Sequence, residues 1–512
     1  MTTAADLVVY EAEIHTLTDH DEIHEALAIR NGEIVALGTG REIADLEGVE
    51  TEVVGCDGRV VLPGFIDAHT HLENLGRYLV HADLSGVGSR ENCLETLAIE
   101  ADADREWILG FGYDESEWDD SQYLTREELD RVREERPVVA IRVDMHTASL
   151  NSVALERLRG ELPDEDVERI DGEPTGVVVE SAAETVREAI APGYDGTREL
   201  VSAALEDALA RGVTCVHEKV RGSQSPRVYR DLEAAGALDC RVRIDYWVDH
   251  VESVREVGLV TNAGSEFVRT GAIKTYTDGS IGSRTAKLSE PYTDGDEENR
   301  GQWIVDPDEL AEIASEAEDG GLQLSVHAIG DEAITETVRV LEKTDDPRES
   351  RHRIEHDELA SDEVISRMAE AGLVASVQPN FLRWAGEGGL YDRRLGEGRR
   401  KRADRFRRLL EAGVPLAFGS DCMPLDPLFG VHHAVNAPTE AQRLSVTEAL
   451  RAYTAGGAYA GFDEDRLGTL EVGKLADLVV LEASPWSQPE DIDGIDVAMT
   501  VVDGEVVFDG CT

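Results

Sequence analysis

Short runs of alternating apolar and polar residues occupy both ends of the chain. Residues 28–37 form two such runs joined by Asn31-Gly32, and residues 499–508 turn in the same way at Asp503-Gly504. Asn-Gly and Asp-Gly between alternating runs favour tight hairpins. Hairpins at both termini, with nothing similar between them, predict one small β-sandwich that takes strands from both ends of the chain.

Between the two ends, apolar strands alternate with longer helical patterns, which indicates parallel βαβ units. Eight stretches have the length and composition of buried strands, namely residues 63–69, 213–217, 241–248, 271–276, 322–327, 352–356, 373–378 and 415–420. Eight units of this kind predict an α/β protein built on a TIM (β/α)8 barrel.

The stretch between the first two strands is too long for a single helix and its loops. We interpret residues 76–200 as a subdomain inserted after strand 1, lying over the barrel mouth. The other boundaries follow from this interpretation. Residues 1–62 and 466–512 are assigned to the composite β-sandwich domain, and residues 63–75 and 201–465 to the barrel.

The charge of the chain excludes one class of partner. Asp and Glu number 106 against 49 Lys and Arg, a formal charge of −57, and the acidic residues are spread along the whole chain. Such a surface repels phosphate, so we expect no nucleic-acid partner. Few of the basic residues are lysines. A diffuse acidic surface poor in lysine is typical of salt-loving microbes, where salt screens the self-repulsion; an ordinary acidic cytosolic protein is the alternative.

Cysteine usage and hydropathy favour a cytoplasmic protein. The six cysteines are scattered without a Cys-x-x-Cys pair, which indicates free thiols in a reducing compartment. The N-terminal residues lack the pattern of a signal peptide, and no apolar run approaches the ~18 residues of a membrane span. We therefore expect no membrane partner.

The ends of the predicted strands carry side chains that bind transition metals. His69 and His71 lie two residues apart at the end of strand 1, so their imidazoles share one face. Four later strands each carry or end in one further candidate, namely Lys274, His327, His356 and Asp421. Since TIM-barrel sites lie at the carboxyl ends of the strands, these side chains are expected to converge on a metal site.

Seven motifs along the chain resemble the amidohydrolase superfamily, and specifically amidohydrolase family 3, which includes N-substituted formamide deformylases. They are VLPGFIDAHTHL at 61–72, GVTCVHE at 212–218, IKTYTDGSIGSRTA at 273–286, SVHAIGD at 325–331, RIEH at 353–356, FGSD at 418–421 and GKLADLVVL at 473–481. The block at 273–286 distinguishes this branch from dihydroorotases, ureases and deaminases. The superfamily's fold is a TIM barrel with a β-sandwich from both termini, in agreement with the pattern above.

The resemblance implies one or two divalent metals per chain. His69 and His71 would bind the first metal together with Asp421, and His327 and His356 would bind the second. Zinc suits these ligands, and manganese or iron would also fit.

The resemblance also implies that Lys274 bridges the two metals after carboxylation by CO2. An ammonium group has no lone pair to offer a metal, whereas a carbamate provides two oxygen ligands. A structural ion pair of Lys274 with Asp278 or Glu218 is the alternative, and it would leave a site for a single metal.

The implied function is hydrolysis of carbon–nitrogen bonds other than peptide bonds, in an N-acyl or N-formyl amine or a cyclic amide. Metal-activated hydroxide would attack the carbonyl, with Asp421 as general base and then as general acid toward the leaving amine. A deaminase and a lactonase are rivals; His327 lacks the His-x-x-Glu pattern common in the deaminases. A non-catalytic metal-binding or regulatory protein on the same scaffold is the other alternative, against which the complete ligand set argues.

Further residues are candidates for binding a small-molecule substrate. His146 ends a strand of the insertion and either contacts substrate or has a structural role. Asp278 and Arg284 lie in a glycine-interrupted loop after strand 4, where Arg284 either holds a carboxylate or pairs with an Asp. Trp384 is expected to line an apolar pocket after strand 7. The basic run 399–408 is expected to pair with the acidic surface, and a barrel of this size is compatible with a homodimer.

Overall fold

The structure is a computed structural model that describes residues 4–295 and 298–510. The described residues divide into two compact units, one of residues 4–71, 205–295 and 298–510 and the other of residues 72–204. The first 71 residues contain β1 (Leu7–Tyr10), β2 (Glu13–His15), β3 (Ile23–His24), β4 (Ala26–Arg30), β5 (Glu33–Gly38), α1 (Gly40–Ile43), β6 (Glu52–Gly55), β7 (Val60–Pro63) and β8 (Phe65–Thr70).

Residues 72–204 form a mixed sheet in the order β13-β14-β12-β11-β10-β9, with apolar clusters on both faces. The elements of this stretch are α2 (Leu72–Val80), β9 (Ala82–Asp83), α3 (Arg90–Glu100), β10 (Ile108–Tyr113), α4 (Arg126–Val132), β11 (Val138–Arg142), β12 (Thr147–Leu150), α5 (Ser152–Arg157), β13 (Val167–Ile170), β14 (Glu173–Val179), α6 (Glu180–Ala189) and α7 (Tyr194–Ala210), whose last turn continues into the first unit.

The rest of the chain first alternates strands with helices and then returns to strands. Its elements are β15 (Val213–Val220), α8 (Ser225–Ala234), β16 (Arg241–Trp247), α9 (Val251–Glu256), β17 (Val268–Tyr276), α10 (Pro307–Asp319), β18 (Gln323–Ala328), α11 (Asp331–Leu341), α12 (Pro347–Ser350), β19 (Arg353–His356), α13 (Asp362–Ala371), β20 (Val374–Val377), α14 (Leu390–Leu395), α15 (Glu397–Arg400), α16 (Phe406–Ala412), β21 (Leu416–Phe418), α17 (Pro427–Val435), α18 (Val446–Ala452), α19 (Ala455–Ala460), β22 (Leu478–Leu481), β23 (Val497–Val502) and β24 (Glu505–Asp509).

The strands β8 and β15 to β21 form a parallel sheet in chain order. Each overlaps one of the eight strands predicted from the sequence. The last strand returns to the first, because the backbone N–H of Asp421 donates to the carbonyl of His69 at 2.8 Å. The predicted α/β fold is therefore confirmed as a nearly closed eight-stranded parallel barrel, with the ends of β8 and β21 side by side.

Strands from both termini share one apolar core in the first unit. They form two sheets, in the orders β5-β4-β1-β6 and β24-β23-β22-β7-β2-β3. Leu27 and Ile34 of the first sheet belong to the same buried cluster as Val61, Leu478 and Val501 of the second. Both predicted hairpins form, with antiparallel pairing of β4 with β5 and of β23 with β24.

None of the helices in the described part of the chain combines the length and the apolar character that a membrane span requires.

Candidate metal centre and active site

Three side chains converge where the first and last barrel strands meet. His69 lies near the end of β8, His71 directly follows the strand, and Asp421 follows β21. One ligand atom from each lies within 4.8 Å of the other two. The Asp421 Oδ1 atom is 3.3 Å from His71 Nε2 and 3.7 Å from His69 Nε2. Two imidazoles and a carboxylate at this spacing can bind one divalent cation.

The backbone around these side chains is held by a buried carboxylate. Asp67 Oδ1 accepts the backbone N–H of His69 at 3.0 Å and that of Ser420 at 2.9 Å. Burial raises the pKa of Asp67 to about 6. Asp421 itself has a φ of 55°, in the left-handed region that residues other than glycine adopt less often. Asp67 thus joins the ends of two strands that are distant in the chain.

His327 and His356 form a second pair beside the first. Their ring centroids are 4.4 Å apart, and the ring of His356 lies 4.9 Å from that of His69. His356 ends β19 with a φ of 74°. Four imidazoles from three strands therefore lie in one cluster, as expected for side chains at the carboxyl ends of barrel strands.

The outer nitrogens of three of these rings have hydrogen-bond acceptors. His69 Nδ1 lies 2.6 Å from Glu355 Oε2, His356 Nδ1 lies 2.7 Å from Gln378 Oε1, and His327 Nε2 lies 3.0 Å from a backbone carbonyl oxygen. Each acceptor requires a proton on the nitrogen it contacts, so the opposite nitrogen of each ring has a free lone pair. Acceptors of this kind orient histidine ligands in metal sites.

Burial keeps the imidazoles neutral. It lowers the pKa of His71 and of His327 to about 3, and the charge of Lys274 adds to the effect. Burial also lowers the pKa of His69 and of His356 to well below the usual value. Neutral imidazole is the form that binds metals, so the donor set fits a divalent cation.

Lys274 is buried beside this cluster, on β17. The residue is only 2% exposed, and its Nζ atom lies 6.0 Å from the centroid of the Trp247 ring. Burial lowers its pKa to about 8. Among the described residues Lys274 forms no ion pair with Asp278 or Glu218, the structural alternative; Glu218 instead accepts a hydrogen bond from Thr70.

Asp421 has the protonation properties of an acid–base group. Burial raises its pKa to about 7, although the nearby charge of Lys274 opposes the rise. A carboxyl group with a pKa near the working pH can both accept and donate a proton.

Charged residues that were not predicted from the sequence lie beside the cluster. Arg353 contacts Glu355 Oε1 at 2.8 Å through Nε and His217 Nδ1 at 2.8 Å through Nη1, and Ser325 Oγ donates to the same Glu355 oxygen at 2.7 Å. All four side chains are buried. The available signal was the charged pair Arg353 and Glu355 within the short strand RIEH, where a barrel interior usually has branched apolar residues.

The structure places the four candidate substrate residues in different settings. His146 is exposed within the 72–204 unit, 3.3 Å from Glu180. Trp384 lies 4.9 Å from Phe381, whose ring is stacked on that of His356 at 6.1 Å. Trp384 is thus the last of a row of aromatic rings that begins at the imidazole cluster.

Asp278 and Arg284 are both occupied by internal contacts. Asp278 accepts backbone N–H groups of Ile329, Gly330 and Lys287, at 2.8 to 3.1 Å, and so connects the loops after β17 and β18. Arg284 makes two hydrogen bonds of 3.1 Å to Asp294. For Arg284, the structure therefore shows the Arg–Asp pair that the sequence analysis considered as the alternative to substrate binding.

Known proteins resemble this chain along most of its length. Residues 52–508 match the model of the amidohydrolase family. The chain is 30% identical to YtcJ of Bacillus subtilis, which carries an amidohydrolase name, over 97% of this chain and 98% of that protein. It is 27% identical to N-substituted formamide deformylase of Arthrobacter pascens, over 99% of each.

A solved structure has the same fold. An uncharacterised metal-dependent hydrolase from Pyrococcus furiosus superposes with a TM-score of 0.81 at 31% identity, covering 94% of this chain and 99% of that one. The chain therefore belongs to the amidohydrolase family.

Proposed function

We propose that this enzyme is a metal-dependent hydrolase of carbon–nitrogen bonds other than peptide bonds, acting on an N-acyl or N-formyl amine or a cyclic amide. The convergence of His69, His71 and Asp421 within 4.8 Å carries the proposal. The pair of His327 and His356 beside them supports it. So does the similarity along the whole chain to a protein named N-substituted formamide deformylase.

A divalent cation held by these side chains would polarise the amide carbonyl and activate a water molecule. Asp421 would accept the proton from that water and return it to the leaving nitrogen. Glu355 and Gln378 hold the rings of His69 and His356 in the orientation that leaves one nitrogen of each free. Asp67 holds the two strand ends at a fixed separation.

The proposed metal is zinc, with manganese or iron as alternatives, and the proposed number is two per chain with a carboxylated Lys274 between them. Three properties of Lys274 support its modification: burial, the lack of an ion pair among the described residues, and a pKa lowered to about 8. A lowered pKa makes the neutral amine, the form that reacts with CO2, more abundant at neutral pH. The two terminal sheets, which share an apolar core, are proposed to be the family's β-sandwich.

The first experiment is metal analysis of protein purified in high salt without chelators, followed by assays of N-formyl and N-acyl amines. Two metals per chain, with a carbamate signal from 13C-labelled bicarbonate that Lys274→Ala lacks, would support the two-metal site. One metal per chain would favour a site without the Lys274 bridge. No metal after incubation with zinc or manganese and bicarbonate would overturn the hydrolase proposal in favour of a regulatory protein.

Asp421→Asn tests the assigned acid–base role. The amide keeps the shape of the side chain but cannot accept the proton, so turnover is expected to fall by at least ~100-fold. The circular dichroism spectrum and the melting temperature should stay close to those of the parent enzyme. Full turnover by Asp421→Asn would contradict the role.

A further inference from the structure

The segment that follows β20 has a charge opposite to that of the molecule. Residues 383–408 contain ten Lys or Arg and four Asp or Glu, a local charge of +6 in a chain of −57. Loops after barrel strands border the active site. Most cations of the segment have carboxylate partners, as expected for the basic run; Arg400 pairs with Asp392 at 2.8 Å, and Arg407 with Glu448 at 2.6 Å.

Two guanidinium groups in this segment differ from the rest. Within the described residues, those of Arg383 and Arg402 have neither a carboxylate partner nor a hydrogen-bonded carbonyl. Arg402 is exposed and lines a separate cavity of about 290 Å³, together with Asp331 and Asp362. Arg383 instead lies over the ring of Trp384, with 4.4 Å between its Cζ and the ring centroid.

Arg383 lies at the outer end of a row of aromatic rings that starts at the proposed metal ligand His356. The ring of His356 is stacked on Phe381 at 6.1 Å with an interplanar angle of 7°, and Phe381 lies 4.9 Å from Trp384. The 3-10 helix Pro379–Trp384 that carries these rings is anchored beside β21, because Asn380 donates to the carbonyls of Ser420 and Met423 at 2.8 and 2.7 Å. The row of rings thus leads from the buried His356 and Phe381 to the partly exposed Trp384 and the exposed Arg383.

Building on the proposed function, we propose that Arg383 binds a carboxylate of the substrate, whose apolar or aromatic body lies against Trp384. The substrates of this enzyme are then N-acyl or N-formyl amines that also bear a carboxylate. Arginine suits this task because its planar guanidinium donates two parallel hydrogen bonds to one carboxylate. The net negative charge of the chain repels anions. Because the Arg383 guanidinium is not neutralised by a carboxylate among the described residues, it can attract an anionic substrate locally.

The test compares two substrates that differ only in a carboxylate at the far end of the aromatic ring, N-formylphenethylamine and the same compound with a carboxylate at the para position of its ring. The metal-loaded enzyme is expected to have a kcat/KM at least ~10-fold higher for the acid. Arg383→Ala should lower kcat/KM for the acid, through KM, to the value for the neutral amide, and Arg383→Lys should keep part of the preference. Arg402→Ala is the matched control, since it removes the same charge from the same segment, and it should leave both substrates unaffected.

Binding of 3-phenylpropionate, measured by calorimetry on the metal-loaded enzyme, tests the contact without turnover. Arg383→Ala should weaken binding at least ~10-fold and Arg402→Ala should not; phenyl phosphate in place of the carboxylate tells whether the site prefers a phosphate. Equal affinities in the parent and Arg383→Ala, or equal losses in both variants, would overturn the proposal. Hydrolysis of the neutral amide without preference for the acid would overturn it too, while leaving the proposed function intact.

Discussion

Glu355 determines which nitrogen of His69 faces the proposed metal. Its Oε2 accepts a hydrogen bond from His69 Nδ1 at 2.6 Å. Its Oε1 accepts one from Ser325 Oγ and forms an ion pair with Arg353 Nε at 2.8 Å. Burial alone would raise the pKa of Glu355, but the positive charges of Arg353 and Lys219 hold it well below its usual value. An ionised carboxylate can only accept hydrogen bonds, so His69 must donate from Nδ1 and present the lone pair of Nε2 to the site.

We expect Glu355→Gln to weaken zinc binding by about 10- to 100-fold, the usual effect of removing an acceptor that orients a histidine ligand. The amide has the same shape, but it is a weaker acceptor and places a donor beside Ser325 or Arg353. Zinc affinity is measured by competition with a chromophoric chelator. Ser325→Ala is the control, because it removes a contact to the other oxygen and leaves the His69 contact in place. Parent affinity in Glu355→Gln would contradict the positioning role.

At the scale of elements, the approach of β21 to β8 depends on a residue without a side chain. A Cβ built on Gly419 would lie 2.5 Å from the backbone nitrogen of His69. The two strands carry Asp421 and the His69–His71 pair, so their separation sets the spacing of the three proposed ligands.

Gly419→Ala is therefore expected to lower both the free energy of unfolding, by about 1–3 kcal/mol, and the metal content. Chemical denaturation and elemental analysis measure the two effects. Gly398→Ala is the control, since a Cβ there would meet nothing within 4 Å and alanine favours the helix α15. Full metal content in Gly419→Ala would show that the strand ends tolerate a wider separation.

The start of α18 is held by a charge pair with α16. Ser445 caps the helix, and Glu448 accepts the backbone N–H of Ser445 at 2.8 Å as well as two hydrogen bonds, of 2.7 and 2.6 Å, from Arg407. Burial would raise the pKa of Glu448, but the hydrogen bonds from Arg407 and Ser445 lower it from 4.5 to about 2. The pair therefore stabilises the fold only while Glu448 is ionised.

Glu448→Gln is expected to lower the free energy of unfolding by about 1 kcal/mol at neutral pH. Because the pKa of Glu448 is lower in the folded state, its contribution is complete above pH 4.5 and is lost as the pH falls toward 2. Urea denaturation of parent and variant over that interval measures the difference. Glu411→Gln, which removes only an exposed pair with Arg408, should cost less than ~0.5 kcal/mol. A difference that stays constant with pH would contradict this account.

At the scale of the whole molecule, the charge of −57 opposes the compact state. We expect the melting temperature to rise between ~0.1 M and ~1 M NaCl, because the screening length falls from about 10 Å to about 3 Å over this range. Sorbitol at equal osmolality separates screening from general solvent exclusion and should have a smaller effect. A melting temperature independent of NaCl would argue against adaptation to high salt.

The sequence alone determined the barrel, because two local patterns specify it. Alternating or continuous apolar runs identify the strands, and segments with apolar residues at helical spacing separate them. Eight successive strand–helix units are compatible with few topologies other than a barrel. For the same reason the positions of His69, His71, His327, His356 and Asp421 at strand ends could be read directly from the sequence. The terminal hairpins were equally local, since each depends on a two-residue turn.

Only the tertiary structure decided what each of these side chains contacts. Glu355 pairs with His69, 286 positions away, and Arg284 pairs with Asp294, ten positions away. Arg383 has no carboxylate partner among the residues that the structure describes and lies over Trp384 instead. Such contacts depend on strand register, loop path and burial, which no local periodicity encodes. The sequence therefore determined where the chemistry lies, whereas the three-dimensional packing decided the protonation, orientation and free charges with which it works.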